Sequence, residues 1–175
     1  METTRWQGTT TGRITTRLTR DEWAMAVVRE TSKRATCMRR QVGCVLMDKD
    51  GHILSTGYNG VAAGRPHCNE FIPPENSNKV VIKARSCGLT SQSYPNACTG
   101  AASKSGTNLD ACEAIHAEQN ALLRCRDIRE IHTAYISCSP CMTCAKLLSN
   151  TGCRRIVFGE LYPNSSAVET FWLSG

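Results

Sequence analysis

Two short segments hold residue types that can do chemistry together: Ile115-His-Ala-Glu-Gln-Asn-Ala121 and Ser139-Pro-Cys-Met-Thr-Cys-Ala145. Cys141 and Cys144 stand three apart where a helix is expected to begin, so both sulfurs share one face. A helix N-terminus lowers thiol pKa and lets both bind a metal as thiolates. Alone, Cys-x-x-Cys fits a redox pair or half of a structural zinc site equally well. His116 shifts that balance, because a neutral imidazole and two thiolates make a three-ligand zinc site whose fourth position is left to water. Zinc lowers the pKa of such a water to about 7. Glu118, two residues from His116, can hydrogen-bond the water without ligating the metal, take its proton and pass it on. A purely structural zinc would need a fourth protein ligand and would leave Glu118 without a task.

These residues need elements to hold them. Thr19-Arg-Asp-Glu22 is a capping-box pattern ahead of Trp23, Met25, Ala26, Val27 and Val28, and it predicts a helix from about Asp21 to Lys33. Val42 to Met47 reads as a strand, Asp48 to Gly51 as a turn and His52 to Ser55 as the returning strand. From Gly57 to about Asp110 the chain is rich in Gly, Pro, Ser and Asn, a length of loop that is usually functional or disordered. Ala114 to Arg126 and Cys141 to Asn150 read as helices, the second stopped by Gly152. Ala134 to Ser137 and Arg155 to Phe158 read as strands, and Ser165 to Trp172 as a last short helix. Strands alternating with helices point to a layered α/β domain, here spanning residues 19–175 behind a flexible N-terminal arm over 1–18.

Composition narrows the setting. The 175 residues suit one core, and no apolar run approaches the roughly 18 residues of a membrane span. The start of the chain has no apolar stretch of a secretory signal; it is rich in Thr and Arg, which loosely fits a transit peptide but reads better as an arm. The formal charge of +6 favours an anionic partner, although only Lys33, Arg34, Arg39 and Arg40, around Cys37, form a local cluster. Eleven cysteines with no export signal argue for a reducing, cytoplasmic setting and against a disulfide framework. Cys44, Cys125 and Cys153 read as small buried hydrophobes.

His-x-Glu followed by Pro-Cys-x-x-Cys is the signature of zinc-dependent base deaminases. Together with Gln41-Val-Gly43, Ser55-Thr-Gly-Tyr-Asn-Gly60 and Ser139-Pro-Cys-Met-Thr-Cys-Ala-Lys146, it makes the chain from about Trp23 to Tyr162 resemble the deoxycytidylate (dCMP) deaminases, phage-type enzymes included. The Gly-Tyr-Asn-Gly element separates this branch from deaminases acting on transfer RNA or riboflavin precursors, which share His-Ala-Glu. The resemblance implies a three-layer α/β/α cytidine deaminase-like fold with a mixed central sheet. It implies hydrolysis of dCMP to dUMP, with supply of dTMP synthesis as its role and host cytoplasm as its place if the gene is a phage's. His116, Cys141 and Cys144 would hold the catalytic zinc, and Glu118 would shuttle protons. The Ala117 backbone would bind the base carbonyl, the Ser139 carbonyl the leaving amine, Asn59 the sugar hydroxyl, and Tyr162 would pack on the pyrimidine.

The same resemblance implies a homohexamer activated by dCTP and inhibited by dTTP, with Mg2+ beside the nucleoside triphosphate at Tyr58, Gly60, Gly64 and Arg65. It also implies a second, structural zinc on Cys37, Cys68 and Cys112, with Cys98 or His67 as fourth ligand. Longer relatives continue beyond the point where this chain stops, so an edge element is expected to be missing or supplied by a neighbouring subunit. Two other readings stand beside this one. A deaminase acting within DNA or RNA would use the positive charge, but the chain has no clear basic stripe. A non-catalytic zinc module would not require Glu118, and deamination of dCTP besides dCMP stays open.

Overall fold

Strand β2 (Gly43–Met47) is buried along its whole length, because it lies at the inside of a sheet covered on both faces. Its alternate side chains divide between two cores. Val45 and Met47 meet Ala24, Met25 and Val28 of helix α1 (Arg20–Ser32), with Tyr135 and Val157. Cys44 and Leu46 meet Ala117 and Ala121 of helix α2 (Ala117–Arg124) and Ala145 and Leu148 of helix α3 (Met142–Ser149). The result is the expected three-layer α/β/α sandwich. This computed structural model describes residues 2–5, 17–71, 82–83, 104 and 112–161. Cys98, Tyr162 and the expected helix Ser165 to Trp172 lie outside them.

The remaining strands are β1 (Glu2–Arg5), β3 (Ile53–Tyr58), β6 (Thr133–Cys138) and β7 (Arg155–Glu160), with a small separate pair, β4 (Glu70–Phe71) and β5 (Ile82–Lys83). The main sheet runs β1-β7-β6-β2-β3. It is mixed: β6 is parallel to β7, β7 to β1, while β2 is antiparallel to both β6 and β3. Five of the expected elements sit within about two residues of their observed bounds, the usual scatter at element ends. Strand β3 runs on past Ser55 to Tyr58, because its backbone continues to pair with Gly43 and Cys44.

Two differences stand out. The stretch expected as a flexible arm contributes Glu2–Arg5 to the sheet, where its threonines suit an edge strand beside β7. The edge beyond β7 is therefore occupied by the chain's own N-terminal residues. The long irregular stretch contains the β4–β5 pair.

Local signals behave as read. Thr19 accepts from the Glu22 amide at 3.2 Å, and the Thr19 amide donates to the Glu22 carboxylate at 2.7 Å, closing the capping box of α1. In the β2–β3 turn, Asp48 Oδ1 accepts from the amides of Asp50, Gly51 and His52 at 2.7–2.9 Å, and Gly51 takes a φ of 93° that only glycine adopts without strain.

Candidate active site

His116 is the N-cap of α2 and Cys141 the N-cap of α3, so two helix N-termini converge on one point. Each of these residues has extended backbone, which leaves its side chain beside the helix start. The turn before α3 is pinned by the Ser139 amide, which donates to the Glu160 carbonyl at 2.8 Å. The turn before α2 is pinned by Ile115, which exchanges backbone hydrogen bonds of 2.9 and 3.2 Å with Gly60 beyond β3. The His116 amide donates to Gln119 Oε1 at 3.1 Å, and the Asn120 side chain donates to the Tyr58 carbonyl at 2.9 Å, tying α2 to the same segment.

His116 Nδ1 lies 3.5 Å from Cys141 Sγ and 3.5 Å from Cys144 Sγ. Zinc bonds of about 2.0–2.1 Å to nitrogen and 2.3 Å to sulfur, opened to the tetrahedral angle, set nitrogen and sulfur about 3.6 Å apart. The donor set and its spacing therefore fit a zinc ion with three protein ligands. No other three-donor group gathers this closely among the described residues.

The electrostatics suit the same task. Cys141 is brought down to about 4, first by the Cys144 thiol, then by His116 against the cost of burial. Cys144 is pushed up by its contact with Cys141 and by burial. His116 is raised by its contact with Cys141, while burial and the Arg39 charge pull the other way. Glu118, only 4% exposed, is raised by burial, opposed by its own backbone amide and by His116. A carboxyl raised in this way by burial holds a proton more readily than a solvated one, which suits a proton carrier.

His116, Glu118 and Cys141 line a pocket with Asn59, Ala117, Ser139, Arg39, Arg40 and Cys138. A family model described as "Cytidine and deoxycytidylate deaminase zinc-binding region" matches residues 18–160, the span that builds this pocket. The chain belongs to the cytidine and deoxycytidylate deaminase family. Within the family it is 31% identical to a deoxycytidylate deaminase of Schizosaccharomyces pombe over 144 residues, covering 81% of this chain but 37% of that protein. It is 30% identical to the deoxycytidylate deaminase of Mycobacterium phage D29 over 139 residues, covering 79% of this chain and 92% of that one. The chain thus spans little more than a third of the fungal relative and nearly all of the phage one. In fold it is similar to the dCMP deaminase of cyanophage S-TIM5, solved in complex with dCMP and dUMP, with a TM-score of 0.58, 21% identity, and 88% and 90% of the two chains covered.

The other expected site residues fall unevenly around this pocket. Ala117, Ser139 and Asn59 line it. The Asn59 side chain is already engaged: its Oδ1 accepts from the Val42 amide at 2.8 Å and its Nδ2 donates to the Arg40 carbonyl at 2.7 Å. Tyr58, Gly60, Gly64 and Arg65 follow one another along the exit from β3. Tyr58 lies under the Arg124 guanidinium, 5.8 Å from its ring centre, and Gly64 has a φ of 82°. Arg65 pairs with Glu113 at 2.8 Å, an exposed ion pair three residues before His116. Cys68 packs with Cys112, and Cys37 and Cys112 line the active-site pocket, but Cys37, Cys68 and Cys112 do not gather into a three-donor cluster. His67 lines a separate cavity with Lys33, Arg34 and Tyr58. Cys44 and Cys153 are fully buried, as expected of structural thiols, and Cys125 is half-buried.

Arg39, Arg40 and Cys138 were not among the expected site residues. The arginines announced themselves in sequence only as a basic cluster. Cys138 gave one faint signal, its place just before Ser139-Pro140-Cys141.

Proposed function

We propose that this chain hydrolyses dCMP to dUMP and ammonia. The observation that carries the reading is His116 Nδ1 at 3.5 Å from both Cys141 and Cys144 sulfurs, with buried Glu118 in the same pocket. A zinc ion held by His116, Cys141 and Cys144 would acidify a water and so supply a nucleophile at neutral pH. Glu118 takes the water's proton as the C4–O bond forms and delivers it to ring N3. It then takes the remaining hydroxyl proton and delivers it to the exocyclic amine as the C4–N bond breaks and the C4 carbonyl forms. The Ala117 amide, at the first turn of α2, is free of an intrahelical partner by its position and is suited to the base carbonyl. The Ser139 carbonyl, on the pocket wall, is suited to the departing amine. The names of the fungal and phage relatives support a deoxycytidine nucleotide as substrate.

The wider assignment follows the family reading. Effector control by dCTP and dTTP with Mg2+, at Tyr58, Gly60, Gly64 and Arg65, would act on the segment clipped to Ile115, next to His116. A hexameric assembly and a cytoplasmic setting belong to the same reading; among the described residues no helix is long and apolar enough to cross a membrane. A second zinc on Cys37, Cys68, Cys98 and Cys112 would need those thiols drawn together, and metal content near two per chain rather than one would support it.

The deciding experiment is ammonia release from dCMP by the purified protein, alongside Glu118→Gln. We expect turnover by the wild type, and at least a ~10²-fold loss of kcat in the variant with His116, Cys141 and Cys144 still holding zinc. No turnover of dCMP, dCTP or deoxycytidine by the zinc-loaded wild type would refute the reading.

A further inference from the structure

The site owns the residues of a closed metal centre and yet is open. Cys138, Cys141 and Cys144 stand three apart, and with His116 they make a Cys3His set, a common donor set of four-coordinate structural zinc sites. A zinc enclosed by four protein ligands leaves no position for water and cannot serve hydrolysis. Cys138 ends strand β6, is separated from Cys141 by Ser139 and Pro140 alone, and lines the same pocket as His116, Glu118 and Cys141. It nevertheless stays out of the cluster. His116, Cys141 and Cys144 place their donor atoms within 4.8 Å of one another, and Cys138 Sγ is not among them.

The Cys138 sulfur is held by Arg40. Nη1 of Arg40 donates to Cys138 Sγ at 3.0 Å and to Glu160 Oε2 at 3.3 Å. Glu160 is the partner of Cys138 across the β6–β7 ladder, so sulfur, guanidinium and carboxylate meet at the ends of two paired strands. The main chain of Arg40 is fixed as well, since its carbonyl accepts from Asn59 Nδ2 at 2.7 Å. A sulfur that accepts from a guanidinium has a lone pair engaged, and the fixed positive charge beside it repels an approaching dication.

We propose that Arg40 is a positioning residue that holds the Cys138 thiol off the catalytic metal and so keeps the fourth coordination position open to water. The assignment rests on the zinc reading given above. Without the hydrogen bond, Cys138 is free to turn about χ1 between staggered positions. Capture would form a third metal–sulfur bond, send the thiol proton to solvent and displace the water.

The test counts thiolates on the metal. Cobalt(II) stands in for zinc, and the strength of its sulfur-to-metal charge-transfer absorption follows the number of bound thiolates. Full-length wild type loaded with cobalt should show two, and Cys138→Ala should leave the band unchanged. Arg40→Leu, which removes the donors, should raise the band by about 1.5-fold, from two thiolates to three. It should also tighten zinc retention against a competing chelator by ~10-fold or more. Adding Cys138→Ala to Arg40→Leu should return both to the wild-type level, a reversal that loss of packing at Arg40 alone would not give. Arg40→Lys, the gentler change to the fold, should show an intermediate band, because an ammonium cannot match the planar fork that reaches sulfur and Glu160 together. A band that stays at two thiolates in every folded Arg40 variant, or one already at three in wild type, would overturn the assignment and leave the zinc reading standing. A wild type that binds cobalt through fewer than two thiolates would remove the zinc reading itself.

Discussion

At the scale of single residues, Asn59 and Glu118 are both buried and polar, yet they are satisfied in opposite ways. Glu118 is kept for a proton and has its titration raised by burial. Asn59 spends its carbonyl on the Val42 amide and its amide on the Arg40 carbonyl, bridging β3's end to the start of β2. Asn59→Ala should therefore destabilise the fold by about 1–3 kcal/mol, because it strands a part-buried donor and a part-buried acceptor. Asn59→Asp should also be destabilising, since a carboxylate cannot donate to the Arg40 carbonyl. Urea denaturation checks both, and an unchanged midpoint in the alanine variant would mean that Asn59 serves substrate alone. His116, Glu118, Cys141 and Cys144 were legible in the sequence because metal chemistry ties residue type to short spacing. Asn59's backbone partners were not legible, because they depend on how β3 ends against the segment leading into β2. For the same reason Arg39 and Arg40 read as a charge cluster and not as pocket walls.

Helices α2 and α3 hold the site by their N-termini, so their seating on the sheet sets its precision. Gly57 of β3 is where α2 comes closest: an added Cβ would overlap the Ala117 carbonyl and the Ala121 amide. Those are backbone atoms and cannot turn aside, so the helix must shift. Gly57→Ala should cost about 1–3 kcal/mol through overpacking. It should also lower kcat on dCMP by about 10²-fold, since displacing α2 carries His116 and Glu118 with it. Melting temperature and turnover, measured with zinc content, would check this; full activity would mean that α2 has slack the packing does not suggest. The same element scale explains which parts of the fold the chain announced. Helix α1 was marked by its capping box, and α3 by its cysteine-bearing start and Gly152. Strand β1 was not, because Glu-Thr-Thr-Arg has no apolar alternation and its pairing with Arg155 to Phe158 spans nearly the whole chain. The β4–β5 pair was hidden for a similar reason: two residues a side are too few to show a period.

The described residues form three layers, and α1 is the only described helix on its side of the sheet. Its apolar face is held by Val45, Met47, Tyr135 and Val157, and its first turn by a polar clamp. Arg155 on β7 donates from Nη1 and Nη2 to the two oxygens of Asp21 at 2.8 and 2.7 Å, and the Tyr135 hydroxyl on β6 donates to Oδ1 at 2.7 Å. Both partners come from interior strands of the sheet, so the clamp fixes α1 to β6 and β7 together. Hydrogen bonding to Arg155 holds the Asp21 carboxyl below its ordinary value, against the cost of burial, with Tyr135 adding to the effect. Tyr135 in turn is pushed up to about 12 by burial and by Asp21, so its hydroxyl stays a donor through neutral pH. A carboxyl that titrates lower when folded binds fewer protons than the same group unfolded. Its stabilisation is complete above the ordinary aspartate value of about 3.9 and drains away as pH falls through the folded value. Asp21→Asn removes that titration while keeping the size of the side chain. Wild type should be the more stable protein at neutral pH, and its advantage should shrink steadily in acid, below about pH 4. Other carboxylates titrate alike in both proteins, so the difference between their denaturation midpoints isolates this one clamp. A difference that stays constant from neutral pH into acid would mean that α1 is held by its apolar face alone.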